Sequence, residues 1–254
     1  MYIVQKYFMA VQPWRKGLVT KIEQETYNTR RFWIQIPELP SFDFIPGQFV
    51  SLDLPIHDLP GKRLRSYSIA SWPDGTNIIE LLIVLLEGGA GTTYLFNEVK
   101  EGSELILRGP QGVFILPPVI DKDLFFICTG TGIAPFRSMV HYMKLHAVPH
   151  RNIYLIFGTR TANDLVYYDE MKCLEKETAN FHYIPTLSRE QWPGCCGYVH
   201  TVYEDLIQGQ KNNSNELPSA QFYLCGWKAM IDEAKQRIQQ LGYDRKAIHQ
   251  ELYG

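Results

Sequence analysis

The sequence predicts two unlike units in series: a β unit built as an antiparallel barrel of Greek-key type, then an α/β unit with a parallel sheet. Three observations carry this. Up to about residue 115, short β-branched and aromatic segments alternate with breaks rich in Pro, Gly, Asp and Asn. From about Leu124, apolar runs without alternation are separated by stretches with helical spacing. The length, 254 residues, is long enough for two domains of ordinary size.

The strand candidates of the first unit are LVTKIEQETYN, RFWIQIP, QFVSLDLP, RSYSIAS, NIIELLIVLL and SELILRG, separated by PELPSFDFIPG, IHDLPGK and WPDGTN. Phe32, Ile34 and Ile36 alternate with Trp33 and Gln35, the pattern of a strand with one buried face. One short helix is expected at Thr93–Val99. In the second unit, DLFFIC, NIYLIFG, FHYIPTL and QFYLC read as strands covered on both faces. Phe136, Met139, Val140 and Met143 share one helical face, as do Met230, Ala234, Ile238 and Leu241, with Gly242 as a stop. Alternating strands and helices imply right-handed crossovers. GQKNNSNELPS is expected to be a surface loop. The boundary is expected within Leu116–Lys122, dividing the chain into 1–117 and 118–254.

Composition narrows the function classes. Hydrophobic residues make up 45% and charged residues 20%, so a packed core is expected rather than disorder. With 25 basic and 27 acidic residues, the net charge of −2 offers no bulk attraction for nucleic acid or an anionic membrane. The longest apolar run, near Ile78–Leu86, is short and broken by Glu80, so no membrane insertion is expected. MYIVQKYFMAVQPWRKG has no secretory pattern. The five cysteines form no CxxC and their count is odd, which fits reduced thiols in a cytoplasm and excludes an iron–sulfur site within this chain. Cys195 and Cys196 are read as two thiols in a loop. The histidines are read as offering no metal-ligating spacing, and no GxSxG elbow appears.

Two segments point to chemistry. Gly130-Thr131-Gly132-Ile133-Ala134-Pro135 follows the strand LFFIC and opens a helix. Glycines let backbone amides approach a phosphate, and a helix N-terminus adds partial positive charge. Arg65-Ser66-Tyr67-Ser68 lies in a barrel strand, where alternation puts Arg65 and Tyr67 on one face and Ser66 and Ser68 on the other. A cation beside an aromatic plane suits a diphosphate and a flat ring.

These and other stretches resemble the ferredoxin–NADP reductase superfamily, in family order over nearly the whole chain. Arg65–Ser68 resembles the RxYS flavin motif, and Pro46-Gly47-Gln48-Phe49 the PGQ(F/Y) strand before it. Gly89-Ala90-Gly91-Thr92-Thr93-Tyr94-Leu95 is similar to the GxxSxxL pyrophosphate segment, with Thr92 where Ser is commoner. Gly109–Phe114 resembles the GPxGxF turn, Gly130–Pro135 the GTGIAP loop, and Cys225-Gly226 the CG motif. Glu251-Leu252-Tyr253 resembles the plant-type carboxyl end, from which the chain departs in carrying Gly254 after the aromatic.

The resemblance implies an FAD-binding barrel followed by a nicotinamide-nucleotide domain. It implies that Tyr67 packs on the isoalloxazine ring, that Arg65 binds the FAD diphosphate with Gly91, Thr92 and Thr93, and that Ser68 stands near flavin N5, with Ser66 beside it. It implies that Gly130, Thr131, Gly132 and Gly226 cradle the nucleotide and that Cys225 borders the hydride path. Glu251 is implied for charge or proton balance, and Tyr253 for covering the other flavin face. Ser188 and Arg189 resemble the 2′-phosphate segment, Arg160 is a second basic candidate, and Tyr198 is placed to stack on adenine. No acidic residue replaces Ser188, so NADP(H) is expected.

The implied reaction is hydride exchange between NADP(H) and FAD, with electrons passed singly to a separate carrier, ferredoxin or flavodoxin, by a monomer. Two alternatives stand beside it: the NADH-dependent reductase component of a multicomponent oxygenase, and a non-catalytic flavin-binding electron-transfer subunit.

Overall fold

The computed structural model describes residues 12–253, with the side chain of Tyr253 excepted. The reading of the N-terminal segment falls mainly on residues 1–11 and, like Gly254, lies outside the described residues.

Six antiparallel strands make the first unit: β1 (Trp14–Thr26), β2 (Thr29–Gln35), β3 (Phe49–Asp53), β4 (Leu64–Ser68), β5 (Ile78–Val84) and β6 (Glu104–Gln111), ordered β4-β3-β6-β1-β2-β5. The two edges meet through a bridge between Ile69 and Leu81, and the Ala70 amide donates to the Glu80 carbonyl at 2.8 Å. The sheet therefore closes on itself, which removes its free edges. Strand alternation fills the interior. Phe32 and Ile34 stand opposite Ile22 and Val19 of β1 and opposite Leu81 and Ile79 of β5. Phe32, Ile34 and Ile36 are fully buried. Each such side chain contributes about 1.5–3 kcal/mol by leaving water.

The second unit is a parallel sheet of β7 (Asp123–Thr129), β8 (Ile153–Thr159), β9 (Phe181–Leu187), β10 (Cys195–Cys196), β11 (Ala220–Trp227) and β12 (Ile248–Tyr253), ordered β10-β9-β8-β7-β11-β12. Helices α2 (Ala134–Leu145) and α3 (Tyr168–Glu177) cover one face; α4 (Val199–Ser214) and α5 (Lys228–Gln240) cover the other. The core on the first face runs on into the barrel. Ala70, Leu82 and Phe114 belong to it, and the Phe114 ring meets Phe136 and Tyr223 edge-on at 5.7 and 5.5 Å.

Three details depart from the sequence reading. Helix α1 spans Ala90–Asn97 rather than 93–99, because Gly89 in extended conformation starts it. GQKNNSNELPS is not a loop throughout: α4 continues to Ser214, its apolar face held down by Val199, Val202, Tyr203 and Ile207, and Asn215 in left-handed conformation ends it. Strands β10 and β12 were not expected as strands. IHQELY has little β signature of its own, and its place beside β11 is decided by tertiary pairing.

Candidate active site

In the parallel sheet, β7 connects through α2 to β8 on one side, whereas β11 connects through α5 to β12 on the other. The crevice beyond the carboxyl ends of β7 and β11 is thus a topological switch point, where open α/β sheets bind ligands. Both glycine motifs stand there. A Cβ on Gly132 would lie 2.3 Å from the Cys225 carbonyl oxygen, so the loop passes β11 at a distance only glycine allows. Gly226 has φ +148°, and a Cβ there would lie 2.4 Å from Thr129 Oγ1. Gly130 faces open space, and Thr131 stands in the same short turn, Gly130–Ile133. Thr129 Oγ1 is buried with no hydrogen-bond partner among the described residues. A glycine-lined turn beside an orphaned hydroxyl fits a polar ligand such as a nucleotide.

Facing this crevice is β4. Ser51 Oγ and Ser66 Oγ lie 3.2 Å apart, tying β3 to β4. Tyr67 packs against the barrel core, and burial pushes its hydroxyl pKa up to about 12, so it is a neutral ring. Arg65 donates to the carbonyls of Lys62 and Leu64 at 3.0 and 2.7 Å. Its stem runs beneath Gly91, where a Cβ would lie 2.9 Å from Arg65 Cγ. The guanidinium therefore sits under the N-terminus of α1, whose start has no side-chain cap. Thr92 Oγ1 is engaged within the preceding turn, donating to the Gly89 carbonyl at 3.1 Å and accepting from the Leu86 amide at 3.1 Å. Thr93 is exposed on the first turn of α1. A cation and uncapped amides together fit a diphosphate.

The two units meet chemically at Ser68. Its hydroxyl, on a residue 4% exposed, donates to Glu251 Oε2 at 2.7 Å. Glu251 lies beside Cys225 in the β11–β12 register, and Cys225 is fully buried beside Cys128 of β7. Burial raises the Glu251 pKa to about 7, against the opposing pull of the Ser68 hydrogen bond. A carboxyl so tuned is divided between its protonated and ionised forms near neutral pH and can exchange a proton through a serine hydroxyl. Ser68, Cys225 and Glu251 are therefore brought together. Tyr253 ends β12 in register with Trp227, and its side chain lies outside the described residues.

The remaining nucleotide candidates stand at the ends of β8 and β9. The Ser188 amide and hydroxyl both donate to the Thr159 carbonyl, at 3.0 and 3.1 Å, and the Arg189 amide donates to the Arg160 carbonyl at 2.9 Å. Both guanidinium-bearing residues are exposed. Tyr198, 71% exposed just before α4, presents an open ring. Cys195 and Cys196 are exposed, and none of the five cysteines forms a disulfide. His146 and His150 do stand four residues apart, a spacing the sequence reading missed. They lie beyond the end of α2, and no His, Cys, Asp and Glu group among the described residues could hold a metal ion.

Sequence reasoning also missed a buried polar cluster between the units. Arg137 of α2 and Glu80 of β5 are 4% and 3% exposed and pair at 3.0 Å. The sequence held a signal for each: a carboxylate inside an apolar strand, and an arginine between Phe136 and Met139.

Fold and site together define a two-domain oxidoreductase that binds a flavin in a barrel and a pyridine nucleotide on a parallel sheet. Residues 16–115 match the oxidoreductase FAD-binding domain model, and residues 126–236 the oxidoreductase NAD-binding domain model. The chain is 36% identical over 217 residues to ferredoxin–NADP reductase B of Sorangium cellulosum (84% of this chain, 86% of that one). It is 33% identical to the phenol hydroxylase P5 protein of Acinetobacter pittii over 83% of this chain but only 58% of that longer one. Among solved structures it resembles a ferredoxin NADP+ reductase from Neisseria gonorrhoeae with bound FAD and NADP, with TM-score 0.77 and 26% identity over 94% of this chain and 98% of that one. The chain belongs to the ferredoxin–NADP reductase family and is an FAD-dependent NAD(P)H oxidoreductase.

Proposed function

We propose that this protein exchanges hydride between NADP(H) and FAD and passes electrons singly to ferredoxin or flavodoxin. The observation that supports this best is the Ser68–Glu251 hydrogen bond, 2.7 Å long, at the mouth of the crevice that Gly132, Cys225 and Gly226 border. When bound, the flavin supplies the hydride and single-electron chemistry. The chain supplies the rest. Tyr67 offers a ring face for stacking, and Arg65 with the first turn of α1 holds the diphosphate. Ser68 presents a hydroxyl whose proton Glu251 can replace. Cys225 and the two glycines shape a narrow slot that orients a flat nicotinamide and keeps water out. The division between the flavin unit and the nucleotide unit falls after residue 117.

Arg160 and Arg189 favour NADP(H). The Arg189 amide is bonded to the Arg160 carbonyl and both residues are exposed, so the segment that resembles a 2′-phosphate site carries two cations open to solvent. The protein works as a monomer in the cytoplasm. No helix of the described residues is long and apolar enough to cross a membrane, and the exposed thiols suit a reducing compartment.

The similarity to the phenol hydroxylase P5 protein favours a second reading, an NADH-dependent reductase component of an oxygenase. Anaerobic reduction of the purified flavoprotein by NADPH and by NADH separates the two. Bleaching by NADPH at lower concentration supports the first reading; a strong preference for NADH supports the second. No bleaching by either overturns both.

A further inference from the structure

We propose that Arg137 and Glu80 form a latch between the two domains that sets the distance across the Ser68–Glu251 crevice, with Arg137 acting as a positioning residue for hydride transfer. This rests on the oxidoreductase reading above.

A single guanidinium spans both units. Arg137 Nη1 donates to Glu80 Oε2 at 3.0 Å and to the Ala70 carbonyl at 2.8 Å, both on the barrel. Its Nε and Nη2 donate to Glu170 of α3 at 2.6 and 3.1 Å, within its own domain. The Tyr167 and Trp72 rings lie against it at 4.4 and 5.3 Å. Glu80 is held in turn by Arg31 Nε and Nη2 at 2.6 and 3.2 Å and by the Tyr167 hydroxyl at 2.7 Å. His141 contacts Glu170 and stacks on Trp72 with ring centroids 3.8 Å apart.

Energetics decide between stability and placement. A buried ion pair regains little more than the desolvation it costs, so such a cluster is a weak source of net stability. The fork onto Glu170 is strongly directional, however, and aims Nη1 at Glu80 and the Ala70 carbonyl across the boundary, and leaving either charge unpaired in the interior is expensive. The cluster therefore selects one relative placement of the domains.

That placement reaches the crevice along two short paths. Ala70, gripped by Arg137, lies two residues after Ser68, and its amide is bonded to the Glu80 carbonyl. On the other side, Arg137 stands one helical turn after the Gly130–Ile133 turn, whose Gly132 abuts Cys225. Loosening the arginine lets the serine and the cysteine drift apart. A misplacement near 1 Å costs about 10²-fold in rate, so even a partial shift is measurable.

Arg137→Lys keeps the charge but not the fork. We expect the FAD-loaded variant to retain flavin and to bind nucleotide within twofold of wild type, while its hydride-transfer rate at saturating nucleotide falls at least tenfold. In the flavin-free protein, hydrogen exchange should rise in peptides covering 66–72 and 248–253 but not in 153–159. An unchanged rate and exchange pattern overturns the latch. So does a rate loss matched by flavin loss and a uniform rise in exchange, which marks a merely structural role. Tyr167→Phe removes one hydroxyl from Glu80 and guards against misfolding of the first variant. A rate loss of about threefold with the same exchange pattern supports the latch, and no change in either overturns it. If wild type is not reduced by NADPH or NADH, the oxidoreductase reading fails, while the exchange comparison still judges the latch.

Discussion

Ser68 and Glu251, 183 residues apart in the chain, share a 2.7 Å hydrogen bond that joins the barrel to the last strand of the parallel sheet. The bond places a titrating carboxyl beside a buried serine hydroxyl at the mouth of the crevice.

Replacing Ser68 by Ala removes the hydroxyl while leaving the strand intact. Flavin reduction by nucleotide should slow by about 10²-fold, the scale of a lost proton-handling group, with flavin content preserved. Stopped-flow absorbance at the flavin band measures it. A rate within twofold of wild type would remove Ser68 from the mechanism.

The Glu251 carboxyl, raised to about 7 by burial, should leave a signature in pH. Its folded pKa exceeds the unfolded one, so between roughly pH 4.5 and 7 the unfolded chain has released a proton that the folded chain keeps. Stability therefore falls as pH rises through that window, by up to about 3 kcal/mol from this group. Glu251→Gln abolishes the contribution and gains stability relative to wild type at pH 8 but not at pH 4. Urea titrations at the two pH values provide the check, and the variant's rate profile should lose its inflection near 7.

Gly132→Ala would drive a Cβ to within 2.3 Å of the Cys225 carbonyl, a backbone atom that cannot step aside. We expect about 1–3 kcal/mol of destabilisation together with loss of nucleotide-driven flavin reduction. Thermal unfolding paired with nucleotide titration tests this.

At Gly91 the obstacle is different, because an added Cβ meets the Arg65 side chain rather than backbone. Gly91→Ala should shift unfolding by less than about 1 kcal/mol yet weaken FAD retention, since the arginine must leave its place under α1. Gel filtration followed by flavin absorbance reads the loss. Full retention would argue against Arg65 as the diphosphate ligand.

Arg189→Ala tests the nucleotide choice. KM for NADPH should rise about tenfold or more, and KM for NADH should stay within twofold, because only the former carries the extra phosphate. Equal effects on both would favour the NADH reading.

The fold was legible in the sequence wherever periodicity or punctuation was strong. Phe32 and Ile34 announced a barrel strand, and the apolar run from Leu124 to Cys128 announced a covered one. The candidate site was legible only as motifs: the glycines at 130, 132 and 226 and the Arg65–Ser68 strand stood out by residue type, and the structure brings Gly132 against Cys225 and Ser68 against Glu251. The weak alternation of IHQELY hid β12, and the polar tail of α4 looked like a loop because only its earlier turns carry apolar anchors.

By itself the sequence determined two folding units and their order, and through its family resemblance it nominated the residues proposed to hold a flavin and a nucleotide. These are local properties, set by alternation, turn chemistry and side-chain type along short stretches. Only the tertiary structure decided that Ser68 meets Glu251, that Gly132 abuts Cys225, and that Arg137 grips Glu80 and Ala70 at once. Those contacts join residues far apart in the chain. They depend on sheet order and on how two cores merge around Phe114, which no local pattern encodes.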